Sequence, residues 1–243
     1  MLAAQDLNLA GRLNGITLEL RPGQVTAICG PNGAGKSSLL ASLAGLIAPD
    51  QGAAMLDDAG LAAMPALERA RQIGYLPQQA EVAWQLAVET LVGLGRLPWR
   101  EGAQADRAAI DAAIAALGLD ALRHRPVQHL SGGERARALL ARVLAGTPRW
   151  LLADEPLANL DLAHQAAMLC HFRDLADRGL GVVLVLHDLA LAMNRADRVV
   201  VLKEGRIVAD GPGEQALSAD LIEQVWGVKA RWLGEAGQRA LAI

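Results

Sequence analysis

One stretch constrains this chain more than any other: Gly30-Pro31-Asn32-Gly33-Ala34-Gly35-Lys36-Ser37, followed by Ser38, set between an apolar run at 25–29 and an amphipathic stretch at 36–46. The glycines let successive backbone N–H groups converge on a polyphosphate with no Cβ in the way. The helix N-terminus behind them adds partial positive charge at the same point. Strand before, loop, helix after is the setting that a phosphate-binding loop requires. Lys36 then reaches the β- and γ-phosphates, and the Ser37 hydroxyl is a ligand for Mg²⁺.

The rest of the chain agrees with an α/β fold, because short aliphatic runs alternate with longer amphipathic stretches. Core strands are expected at 25–29, 73–76, 150–153, 182–186 and 199–202, apolar on both faces as a helix-covered parallel sheet demands. Residues 16–20 alternate apolar and polar before the turn Arg21-Pro22-Gly23, and with 7–9 they read as antiparallel strands beside the main sheet. Between Pro77 and Pro148 strand signals vanish and Ala-rich helical spacing takes over, as at 104–117. The expected organisation is one 243-residue domain, with 1–78 and 148–243 as a nucleotide-binding α/β core and 79–147 as an inserted helical subdomain. Hydrophobic residues at 52% supply a core and exclude wholesale disorder. Nearly balanced charge (23 basic, 26 acidic) and only 3% aromatics argue against a nucleic-acid partner.

Several polar residues stand at strand ends, where open α/β sheets bind ligands. Asp154 and Glu155 follow the run at 150–153; Asp154 suits the Mg²⁺ shell, through water, and Glu155 a water attacking the γ-phosphorus. His187 follows 182–186, either as a structural hydrogen-bonder or as a donor near the γ-phosphate. Gln78 ends Tyr75-Leu76-Pro77, where its amide touches Mg²⁺ or the attacking water, or is a plain loop residue. Leu130-Ser131-Gly132-Gly133-Glu134 opens a helix to about Ala145; it reads both as a second anion site and as an ordinary capping box. Cys29 and Cys170 read as two reduced thiols. No stretch approaches the roughly 20 apolar residues of a membrane span. The first six residues lack the basic region and apolar run of a signal peptide, so the chain is expected to be soluble and to start where its fold starts.

The phosphate loop, Gln78, the Leu-Ser-Gly-Gly-Glu pentapeptide, Asp154-Glu155, Asp161 and His187 occur in the order found in ATP-binding cassette (ABC) ATPases of membrane transporters, which the chain resembles along essentially its whole length. That resemblance implies a RecA-like P-loop NTPase core of parallel sheet, with an N-terminal antiparallel β subdomain and an inserted α-helical subdomain. It implies ATP and Mg²⁺ as cofactors, Glu155, His187, Gln78 and Lys36 in catalysis, and Ser37, Gln78 and Asp154 at the metal. It further implies a head-to-tail homodimer, each ATP lying between residues 30–38 of one subunit and Ser131, Gly132 and Gly133 of the other, with Asp161 in the loop crossing between sites.

The resemblance also implies two transmembrane permease subunits, met by the helical insertion near Glu81-Val82-Ala83-Trp84, an extracytoplasmic substrate-binding protein, and a peripheral position on the cytoplasmic face of the inner membrane. The segments 69–78 and 221–228 resemble importers of iron-siderophore, haem and cobalamin; the short region 6–15 is nearest the cobalamin type. Where many relatives stack adenine on an aromatic side chain, this region offers only Arg12, a base-stacking guanidinium or a solvated charge, with the second favoured. The alternatives are a soluble ABC-type ATPase acting on ribosomes or nucleic acid, and an exporter subunit.

Overall fold

The computed structural model describes residues 1–78, 85–99 and 101–243. Strands β1 (Leu2–Leu9), β2 (Leu13–Leu20) and β3 (Val25–Cys29) precede helix α1 (Lys36–Leu43). Then come β4 (Gln51–Leu56), β5 (Ala59–Gly60), α2 (Ala66–Gln72), β6 (Ile73–Leu76), α3 (Val88–Gly93), α4 (Ala103–Ala116) and α5 (Gly132–Ala145). The chain continues through β7 (Trp150–Asp154), α6 (Leu162–Asp177), β8 (Gly181–Val185), α7 (Leu189–Arg195), β9 (Arg198–Lys203) and β10 (Arg206–Gly211). It closes with α8 (Gly213–Ala216), α9 (Ala219–Trp226), β11 (Arg231–Leu233) and β12 (Ala240–Ala242).

The central sheet has the order β10-β9-β3-β8-β7-β6, parallel except for the antiparallel edge strand β10. Strands β3, β7 and β8 are buried at every residue, and their alternation divides the core into two layers. Ala27, Cys29, Leu151, Ala153, Val182, Leu184, Val199 and Val201 face the layer holding α3 to α7. Ile28, Leu152, Val183, Val185, Val200 and Leu202 face α1 and the antiparallel sheet β2-β1-β4-β5. Both faces are covered, which is why these strands carry no polar alternation.

The antiparallel strands run longer than the sequence signals at 7–9 and 16–20, pairing from Leu2 opposite Leu20 to Leu9 opposite Leu13. The sequence reading did not anticipate β4, β5, β10 or the final hairpin β11-β12. Strand β4 opens on Gln51-Gly52-Ala53-Ala54, residues of weak β-propensity, and its extension follows from pairing with β1. Helix α1 ends at Leu43, short of the expected 46, and Gly45 follows at φ 67°. Helices α3, α4 and α5 pack on one another, and the described part of 79–147 holds no strand beyond the isolated bridge between Ala87 and Pro126. The expected permease surface at Glu81–Trp84 lies outside the described residues. Among the described residues, no helix is long and apolar enough to cross a membrane.

Candidate nucleotide site

Strand order explains how the polar residues meet. The neighbours β3, β8, β7 and β6 run in the same direction, with Ile28 beside Val185, Val185 beside Asp154, and Ala153 beside Leu76. Their carboxyl ends therefore set the loop 30–37, His187, Asp154-Glu155 and Gln78 along one edge of the sheet. A cavity of about 680 Å³ opens there, lined by Arg12, residues 32–38, Gln78, Glu155 and His187.

The loop holds its shape through Gly35, which caps α1 at φ 98°; a Cβ there would lie 2.5 Å from the Arg12 carbonyl oxygen. Lys36 is 6% exposed, and its Nζ donates to the carbonyls of Gly30 (2.9 Å) and Pro31 (3.0 Å). Gly30 and Pro31 thus brace the lysine from behind the cavity wall. Burial pushes the Lys36 ammonium below its ordinary pKa, against the attraction of Glu155.

Glu155 sits in the left-handed region at φ 51°, a conformation that costs a side-chain-bearing residue energy and is found at functional sites. Its Oε2 accepts from Gln78 Nε2 at 2.7 Å, and its Oε1 lies 2.5 Å from His187 Nε2. The carboxylate is thus gripped from both sides by residues that arrive from two other strands. Asp188 secures His187 by capping α7, its Oδ1 accepting from the N–H groups of Ala190 and Leu191. The sequence reading passed over Asp188; the signal for it is a carboxylate just before an apolar helical stretch.

Asp154 is 4% exposed, and its Oδ1 has no hydrogen-bond partner among the described residues. Burial holds its carboxyl above the ordinary range, opposed by a hydrogen bond from Ser37. That bond ties Asp154 to the cavity wall, although Asp154 does not itself line it.

The helix opened by Ser131 begins as the capping-box reading expects. A full capping box forms: Ser131 Oγ accepts from the Glu134 N–H at 3.2 Å, and Glu134 Oε2 accepts from the Ser131 N–H at 2.8 Å. Because Oγ accepts in that box, its own hydrogen remains available for a ligand. Ser131, Gly132, Gly133 and Asp161 do not line the 680 Å³ cavity of the same chain. Arg12 is exposed as expected, yet it also forms part of two adjoining walls, since a second cavity of about 660 Å³ lies between residues 8–14, Gly33, Asp50, Gln51, Glu204 and Gly205.

A family model described as "ABC transporter" matches residues 13–158, more than half of the chain. The chain belongs to the ABC transporter family. Two similar proteins are hemin import ATP-binding proteins HmuV. That of Pseudomonas entomophila (strain L48) is 44% identical over 89% of this chain and 87% of its own length. That of Rhodococcus jostii (strain RHA1) is 44% identical over 88% of this chain and 74% of its own length. Among solved structures, cbiO1 from Clostridium perfringens, part of the ABC transporter complex cbiONQ, superposes with a TM-score of 0.82 at 26% identity, covering 92% of both chains.

The raised Asp154 carboxyl makes a stability prediction for this ABC cassette. The folded chain holds that proton more tightly than the unfolded chain does. Stability therefore falls as pH rises from the ordinary carboxylate range through the raised value, and the cost is complete above it. Asp154→Asn removes the charge and keeps the shape. At neutral pH the variant is expected to melt higher, by ~2–4 °C for each kcal/mol of desolvation relieved in a chain of this size. Thermal melts at neutral and acidic pH check this; a lower melting temperature at neutral pH would contradict it.

Proposed function

We propose that this chain is the ATP-hydrolysing subunit of a bacterial ABC importer whose cargo is haem or a related metal chelate, such as an iron-siderophore or cobalamin. The observation that carries the chemistry is Glu155, gripped by Gln78 and His187 at the mouth of a cavity walled by the Lys36 loop. The cargo class is supported by the hemin importers at 44% identity. Two copies would pair head to tail on two permease subunits at the cytoplasmic face of the membrane, supplied by an extracytoplasmic binding protein.

In this reading residues 30–38 bind the phosphates. Lys36 exchanges its carbonyl partners for β- and γ-phosphate oxygens, and backbone N–H groups of 33–37 take the rest. The unpartnered Oδ1 of Asp154, the Ser37 hydroxyl and Gln78 form a hard oxygen donor set that fits Mg²⁺, with Asp154 acting through water. The metal, when bound, neutralises charge building on the phosphate oxygens. Glu155 draws a proton from the attacking water, and His187 turns its Nε2 from Glu155 to donate a hydrogen bond to a γ-phosphate oxygen. The cavity beside Arg12 is the space for the base. Ser131, Gly132 and Gly133 of a second copy close the γ-phosphate, and Asp161 contacts the opposite loop. ATP then favours the closed pair and hydrolysis releases it, a population shift driven by differential affinity.

Co-expression with the two permease subunits of a haem importer tests the assignment. The chain is expected to co-purify with a polytopic membrane protein and to support Mg²⁺-dependent ATP hydrolysis that drives haem or chelate uptake into vesicles. Purification with ribosomes or nucleic acid and no membrane partner would refute it.

A further inference from the structure

His164, in the first turn of α6, has no part in the chemistry above, yet it touches both segments assigned to the neighbouring copy. Asp161 caps that helix, and one of its oxygens, Oδ1, serves His164 twice: it accepts the backbone N–H at 2.8 Å and lies 2.7 Å from Nδ1 of the ring. With a carboxylate as acceptor, Nδ1 carries the proton and donates it. These bonds also hold the Asp161 carboxyl below its ordinary pKa.

The other edge of the same ring lies against Gly133. A Cβ on Gly133 would sit 1.8 Å from His164 Cδ2 and 2.3 Å from Cγ and Nε2. Gly133 is buried, and the direction its side chain would take points at its own subunit's histidine. A side chain at 133 would therefore have to displace the histidine ring of its own subunit. Next to it, a Cβ on Gly132 would stand 3.8 Å from the carbonyl oxygen of Asn159, a residue at φ 61°. Gln165 in turn donates to the carbonyls of Leu157 (3.3 Å) and Leu160 (3.1 Å), fastening the loop to the start of α6.

We propose that His164 is a positioning residue: its ring, held by Asp161 and laid on Gly133, fixes the loop ending at Asp161 to the N-terminus of α5 as one rigid unit. This rests on the paired-cassette reading above, in which both segments must reach a neighbouring nucleotide and loop in register. The fold itself depends little on the contact, because an exposed pair such as His164 (38%) and Asp161 (66%) adds little stability. Turnover depends on it more, since sub-ångström misplacement of groups around a reacting phosphate is costly.

The test is a double-mutant cycle read in KM, kcat and melting temperature. His164→Ala should keep the KM for ATP and the affinity for trinitrophenyl-ATP, because the Lys36 loop is untouched, while kcat falls about tenfold. His164→Asn should recover most of kcat, since its amide can donate to Asp161. Gly133→Ala should lower kcat about 100-fold by driving a methyl group into the ring. Combined with His164→Ala it should do no worse than His164→Ala alone, because the obstacle is gone.

Unchanged kcat in His164→Ala, or a double variant no better than Gly133→Ala, would overturn the proposal. The melting temperatures of the same proteins read the contact without reference to turnover. If the wild-type chain neither hydrolyses ATP nor pairs in its presence, the paired-cassette reading fails. The contact then stands or falls on whether the two substitutions shift the melting temperature non-additively.

Discussion

Glu155→Gln is expected to bind ATP with near-normal affinity and to turn it over about 10²–10⁴-fold more slowly, the range spanned by loss of a positioned general base. The substitution preserves volume and can still meet Gln78 and His187, so the wall of the cavity should survive. What it removes is one anionic oxygen able to draw a proton from water. The strained backbone at φ 51° aims that oxygen, and the two partners fix its direction. With hydrolysis stalled, the ATP that favours the closed pair persists. The variant should therefore accumulate as a dimer in MgATP, visible by light scattering on a sizing column, while the wild type returns to monomers. Binding and single-turnover hydrolysis, measured together, separate this from a general loss of fold. A variant that hydrolyses at the normal rate would move the role of base to another residue.

The parts of the site that could be read from the sequence are those where one residue answers to one strand. The runs at 25–29, 150–153 and 182–186 stood out because both their faces are buried, and each hands its next polar residue to the carboxyl edge of the sheet. Asp154, Glu155 and His187 were reachable on that basis, Lys36 through its glycine-rich loop, and Gln78 from its place just beyond the run at 73–76. Their mutual contacts were not, because the grip on Glu155 depends on β8, β7 and β6 being neighbours, and strand order is a property of the whole chain. Strand β4 was hidden for a related reason: Ala53 and Ala54 are extended because β1 pairs with them, not through a preference of their own, and Gly52 before them stands at the break in register, at φ 78°. The Gly133–His164 contact was the least visible. A glycine beside a helix start already has two sufficient explanations, a cap and an anion site, so nothing in the local sequence asks for a third.

Lys36→Ala and Ser131→Arg should each abolish ATP hydrolysis, for different reasons, and mixing the two proteins should restore part of it. Lys36→Ala strips the buried charge that answers the β- and γ-phosphates. Losing a charge-assisted hydrogen-bonding group of that kind weakens nucleotide binding by about 10–100-fold. Ser131→Arg leaves the Lys36 loop intact, so the isolated chain should bind ATP as before. Its bulk at the start of α5 would block the approach of that helix to a neighbour's γ-phosphate. If each site is built from both copies, a mixed pair carries both defects in one site and neither in the other. Random pairing of equal amounts makes about half the dimers mixed, each with one whole site, so about a quarter of wild-type activity should return. Sites contained within single chains predict no recovery at any ratio. Ser131, Gly133 and Asp161 stand away from their own chain's cavity, which is the physical ground for expecting recovery. The titration of one variant into the other reads the outcome directly: activity should peak near equal amounts and vanish at both ends.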